Sequence, residues 1–277
     1  MIIDMHTHIF PDSMAAKVID KLSRTSRTKN FTDGTINGLK NSMKIFNVDC
    51  SVILPVATNF HQVEKINSSS KFSNHELIYF GAIHPDYENF SEELLRIKNL
   101  GCKGIKIHPI YQDTDVDDIK YLRIFERAAE LDLIVVTHAG LDIGFPGIMR
   151  CSPKMLRNVI KKIGDFKFIA AHMGGWKNWD EVLENLADTK IFIDTSFSTG
   201  KIIPRDDCRW NDEDLNLLSE EKFMKFIKIF GADRILFGTD SPWTSLFDSI
   251  QFIKNLPISG IDIKKILGEN AKNLLKI

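Results

Sequence analysis

LIVVTHAGLDIGFPGIMRCSPKMLRNVIKKIGDFKFIAAHMGG, residues 133–175, decides the fold. It opens on LIVVTHAG (133–140), a near-continuous apolar run that ends in a histidine and a glycine, and closes on KFIAAHMGG (167–175), which has the same form. Between them SPKMLRNVIKKIG (152–164) spaces its apolar residues as a helix does, with serine at the cap, proline in the first turn and glycine at the end. Strand, helix and strand in that order make a parallel βαβ unit. Apolar runs without polar alternation suit strands covered on both faces.

Runs of the same kind recur at IIDMHTH (2–8), CSVILPV (50–56), LIYFGAIHP (77–85), CKGIKIHP (102–109), IFIDTSF (191–197) and RILFGTDSP (234–242), making eight expected strands. Helical patterns lie between them. FSEELLRIKNL (90–100) has a serine followed by acids, DVDDIKYLRIFERAAELD (115–132) starts on an acidic cluster, and SEEKFMKFIKIFG (219–231) ends on glycine. GIDIKKILGENAKNLLKI (260–277) is the last expected helix, residues 11–48 are expected to hold an excursion and the first helix, and 198–220 a long polar loop. Eight βα units within the ~250 residues typical of a barrel predict the α/β class and a (β/α)8 TIM barrel. The barrel is expected as a single domain over residues 1–277. An open doubly wound sheet is the alternative, but neither GxGxxG nor GxxxxGK[ST] occurs.

The totals narrow the partners. Lys+Arg (36) and Asp+Glu (37) nearly cancel, so no net field favours nucleic acid or an anionic membrane. No run approaches the roughly 20 apolar residues of a membrane span. Asp4 and His6 fall where a signal peptide is hydrophobic, and Cys50, Cys102, Cys151 and Cys208 form no CxxC pair. A cytoplasmic protein with free thiols is expected.

Six of the eight histidines fall at or near expected strand ends: His6, His8, His84, His108, His138 and His172. Asp240 ends the eighth strand. A (β/α)8 barrel builds its active site at these C-terminal ends. His6 and His8, two residues apart, share one face of their strand. Imidazole and carboxylate suit zinc and similar divalent ions. A lone HxH says little. HxH on strand one with His138 on strand five, His172 on six and Asp240 on eight makes a metal-site pattern.

DMHTHIF (4–10), VVTHAG (135–140), AAHMGG (170–175), LFGTDSPW (236–243) and ILGENAKNLL (266–275) resemble the amidohydrolase superfamily, in its amidohydrolase-2 branch of metal-dependent TIM-barrel hydrolases and decarboxylases. The resemblance runs from the first strand to the final helix. It implies His6, His8, His138 and Asp240 as metal ligands, and His172 as a catalytic histidine or a ligand to a second ion. Binuclear members of the superfamily carry a carboxylated lysine at the end of the fourth strand. Lys106, in KGIKIHP (103–109), stands at the matching place and joins His172 if two ions bind. The other reading of Lys106 is an ion pair with a carboxylate or with an anionic group of the substrate. The expected cofactor is zinc, one ion or two, with manganese as the alternative.

Substrate contacts are expected from the loops. Trp176 and Trp243 suit stacking on a flat substrate, and Arg150 suits a carboxylate, as do Arg205 and Arg209. His84 and His108 each precede a proline and divide between substrate contact and a structural role. The expected reaction is hydrolysis of a small-molecule ester, lactone or amide by metal-activated water. Asp240 is then the general base and His172 polarises the carbonyl. The alternative, with the same ligands, is decarboxylation of a small aromatic or muconate-like acid, Asp240 staying on the metal and His172 managing protons. The chain's length favours hydrolysis. A non-catalytic metal-binding barrel is a third reading, against which a base and a catalytic histidine together argue. The expected partner is a small-molecule substrate, with no nucleic acid and no membrane, and a homo-oligomer left open.

Overall fold

The computed structural model describes residues 1–277, the side chain of Asp212 apart. The chain forms two compact units, one from Met1–Ser51 with Thr195–Ile277 and the other from Val52–Asp194. Its strands are β1 (Ile3–Thr7), β2 (Cys50–Ile53), β3 (Leu77–Tyr79), β4 (Gly81–Ala82), β5 (Gly104–Ile107), β6 (Ile134–Thr137), β7 (Phe168–Ala170), β8 (Phe192–Asp194) and β9 (Ile235–Leu236). Every expected strand is present, and the run 77–85 is divided in two. Phe80 N donates to Ile53 O at 3.0 Å, whereas β4 pairs with β5, so the run changes partner and breaks there.

In the second unit β4 to β8 run parallel, with Ala82 opposite Lys106, Ile105 opposite Val135, Val136 opposite Ile169, and Ala170 opposite Ile193. Helices Phe90–Asn99, Ile119–Glu130, Pro153–Ile163 and Trp179–Asn185 make the crossovers. Ile105, Ile107, Val135, Val136, Phe168 and Ile193 are fully buried, as strands covered on both faces require. Each such side chain contributes about 1.5–3 kcal/mol by leaving water. The helix expected from residue 115 starts at Ile119 instead, because Asp118 is its cap and accepts from Lys120 N at 2.8 Å. Asp115 and Asp117 turn elsewhere, to Arg150 and to Asn158.

The loop after β6 crosses the turn after β7 where Gly140 meets Trp176. Gly140 has φ +86°, and a Cβ there would lie 2.1 Å from Trp176 N. Gly140→Ala is therefore expected to cost at least about 2 kcal/mol in urea unfolding, from both overpacking and a left-handed backbone. A variant as stable as the parent would show that the two turns separate freely.

In the first unit Met5 N donates to Phe237 O, and Phe237 N to Ile266 O, each at 2.9 Å. Residues 11–48 hold two helices, Asp12–Ser26 and Ile36–Phe46. The last helix is not continuous. Gly260–Lys264 and Asn270–Leu275 are joined by a wider π turn at Lys265–Glu269. There Ile266 O is drawn out to Phe237, and Gly268 packs so closely that a Cβ would lie 2.6 Å from Met1 O. The polar stretch 198–220 is tied by bridges between Thr199 and Leu218 and between Lys201 and Asn216. No helix among the described residues is long and apolar enough to cross a membrane.

Candidate metal centre

In the first unit β1 and the end of β9 lie side by side, and Asp240 N donates to His6 O at 2.8 Å while His8 N donates to Ser241 O at 2.7 Å. This register brings together the three expected metal ligands that lie in this unit. His8 Nε2 lies 3.1 Å and His6 Nε2 3.5 Å from Asp240 Oδ1. The imidazole rings of His6 and His8 are 5.1 Å apart at 71°. The ligand atoms of His6, His8 and Asp240 all lie within 4.8 Å of one another, close enough to share one ion. Two imidazoles and a carboxylate converging in this way fit a divalent ion.

Two further residues, neither of them a ligand, hold this arrangement. Ser196 Oγ lies 3.0 Å from His6 Nδ1, which orients the ring and leaves Nε2 facing Asp240. Serine after a strand is too common to have been noticed. Asp4, fully buried, accepts from His6 N at 3.1 Å and Thr239 N at 3.0 Å through Oδ1, and from Thr239 Oγ1 at 2.6 Å through Oδ2. It thereby fastens β1 to the residue before Asp240. Asp240 itself has φ +63°, a strained conformation for a side chain of this kind. Trp243, half-buried, donates its backbone N–H to Asp240 O at 2.8 Å and closes that turn.

The second unit carries the remaining candidates. His138 and His172 meet at 3.0 Å between Nδ1 and Nε2. Leu141 O, an acceptor, lies 3.1 Å from His138 Nε2, so that nitrogen carries the proton and Nδ1 is the acceptor toward His172. Burial, with the neighbouring His108 and His172, holds the His138 pKa well below the ordinary histidine range, and the ring is neutral. His172 has φ +60°, held by His172 N donating to Asp194 Oδ1 at 3.0 Å and Trp179 Nε1 donating to His172 O at 3.1 Å.

His108, His138 and Asp142 form a second buried trio of donor atoms. Here the ring planes argue otherwise. His108 and His138 are stacked at 4.2 Å and 15°, so their planes meet far beyond ligand distance and one ion cannot lie in both. The trio is better described as a stack with a carboxylate on its edge. Tyr111 N donates to His108 Nδ1 at 3.4 Å, which places the proton on Nε2, 3.4 Å from Asp142 Oδ2.

Lys106 is fully buried, and its charge adds to the depression of His138. His84 is buried, accepts from Asp86 N at 3.2 Å, and burial lowers its pKa. Trp176 is buried against Gly140. Arg150 meets the chain's own carboxylates, Asp113 and Asp115. Burial pushes the Cys151 thiol up to about 12, out of the range of a nucleophile.

The Amidohydro_2 family model, described as amidohydrolase, matches residues 3–277. Among solved structures, an uncharacterized Tim-barrel protein from Bordetella bronchiseptica is 18% identical, with a TM-score of 0.77 over 99% of this chain and 98% of that one. 5-Carboxyvanillate decarboxylase from Sphingomonas paucimobilis is 15% identical, with a TM-score of 0.67 over 100% and 99%. Dihydroxybenzoic acid decarboxylase from a Polaromonas species, with bound manganese and the inhibitor 2-nitroresorcinol, is 16% identical, with a TM-score of 0.66 over 99% and 96%. No curated protein matches the sequence. These likenesses give the fold, the α/β Tim barrel that the alternation of strands and helices predicts.

Proposed function

From a chain that belongs to the amidohydrolase family over residues 3–277, we infer a metal-dependent decarboxylase of a small aromatic carboxylic acid. The observation that carries the metal is the convergence of His6, His8 and Asp240, with both Nε2 atoms within 3.5 Å of Asp240 Oδ1. The resemblance adds His172 as the catalytic histidine; His138, which it also implies as a ligand, has both ring nitrogens engaged, by Leu141 O and by His172, and is assigned to holding His172. Hydrolysis of an ester, lactone or amide gives way because its support was chain length. This chain covers 99% of the 5-carboxyvanillate decarboxylase, so length does not separate the two reactions.

When bound, the divalent ion supplies positive charge for the substrate's carboxylate. The chain's residues do the rest. As the bond to the carboxyl carbon breaks, its electron pair stays on the ring carbon and carbon dioxide leaves, so a proton must reach that carbon. His172 is assigned this proton, its ring held by His138. Asp240 stays a ligand, its carboxylate aimed by the tight turn to Trp243. The expected metal is manganese or zinc.

Protein loaded with manganese is expected to release carbon dioxide from one or more dihydroxybenzoates or carboxyvanillates, and His172→Asn to lower that rate by roughly 10²–10⁴-fold. Acid release from lactones or amides without carbon dioxide from any aromatic acid would return the reading to hydrolysis.

A further inference from the structure

The loops that follow β5 and β6 are fastened to each other at two places. Inside, Asp142 Oδ2 meets His108 Nε2 at 3.4 Å, and Asp142 Oδ1 accepts from Gly144 N at 2.7 Å. Outside, Arg150 pairs with Asp113 and Asp115, and Val116 N donates to Arg150 O at 2.8 Å. Between the fastenings stand Tyr111 and Phe145, with ring centres 5.3 Å apart and planes inclined at 60°. Tyr111 is backed by the His108 ring at 3.9 Å and 17°, which is in turn backed by His138.

Phe145 is 37% exposed and Ile148, three residues on, 42% exposed. Two large apolar side chains on one loop at strand C-termini leave apolar surface in water where a ligand is handled. Phe145 is not loose. Its N–H donates to Asp142 O at 3.0 Å and its O accepts from Ile148 N at 3.2 Å. At 5.3 Å the two rings already touch, so the face open to a further flat ring is the exposed side of the pair, where Phe145 is 37% exposed.

We propose that Tyr111 and Phe145 form the subsite that receives the flat ring of the substrate, with Asp142 as the positioning residue that sets it. The proposal rests on the reading of the substrate as an aromatic acid and names the residues that select it. Neither residue is a metal ligand, and the discrimination they give is for aromaticity rather than for the carboxylate.

The test compares binding of 2-hydroxybenzoate with that of its saturated counterpart, 2-hydroxycyclohexanecarboxylate, by calorimetry on manganese-loaded protein. The two acids carry the same polar groups and differ in aromaticity. The parent protein is expected to prefer the aromatic acid. Phe145→Leu and Tyr111→Leu should each reduce that preference by about 3–10-fold, the scale of one aromatic contact, with binding of the saturated acid falling less than that of the aromatic one. Phe145→Tyr should restore it. A parent protein without the preference, or a preference that both leucine variants retain, overturns the subsite. The decarboxylase reading fails separately: the preference persists and shifts with Phe145, yet no aromatic acid releases carbon dioxide.

Discussion

Replacing His8 with alanine is expected to lower manganese affinity by more than about 100-fold, beyond the effect typical of residues that merely orient a ligand. Turnover should fall with it. The effect is on the metal and not on the fold. The His8 side chain is 17% exposed against 1% for His6, so its loss is expected to cost the metal-free protein less stability than the loss of His6. His6→Ala makes the contrast. His6 is fully buried and its Nδ1 meets Ser196, so the variant should lose metal affinity and stability together. Titration of manganese followed by electron paramagnetic resonance, with urea unfolding of the metal-free proteins, separates the two. A His8→Ala protein that holds one manganese as tightly as the parent would remove the trio as the metal centre.

Asp4→Ala is the second large effect expected. Asp4 is the acceptor for His6 N, Thr239 N and Thr239 Oγ1. Removing it leaves buried donors unsatisfied at about 1–3 kcal/mol each, and a total loss of about 3–5 kcal/mol is expected in urea unfolding. Metal affinity should fall by about 10–100-fold as well, because Thr239 leads directly into Asp240. Asp4→Asn keeps one acceptor oxygen and should fall between parent and alanine on both measures. Unchanged manganese affinity in Asp4→Asn and Asp4→Ala would leave Asp4 a purely structural residue.

The fold was legible because its signals are local and repeated. LIVVTHAG and KFIAAHMGG announce buried strands by unbroken apolar character, and Ser152, Pro153 and Gly164 mark both ends of the helix between them. What was missed depended on partners far along the chain. The division of 77–85 into β3 and β4 follows from a change of neighbour. The π turn at Lys265–Glu269 follows from Phe237 reaching Ile266. Neither leaves a mark in the residues concerned. His6, His8 and Asp240 were legible as a group because ligand chemistry restricts the residue types. Ser196 and Asp142 were not, since a serine or aspartate beside a histidine becomes informative only once distances are known. Residue type alone also could not tell that the His108 and His138 rings are stacked, which bars them from sharing one ion in this arrangement.

The way the first unit is assembled has a consequence in time. Asp4 and Thr239, whose contact fastens the metal trio, are 235 residues apart in the chain. At about 5–20 residues per second, a ribosome takes roughly 10–50 s to travel between them. For that interval β1 has been made while its partner Phe237 has not, whereas Val52–Asp194 is one continuous stretch that can pair within itself as it emerges. The histidines made first are thus the last to acquire their carboxylate. A chain that terminates before Asp240 keeps two of the three candidate donors and lacks the carboxylate.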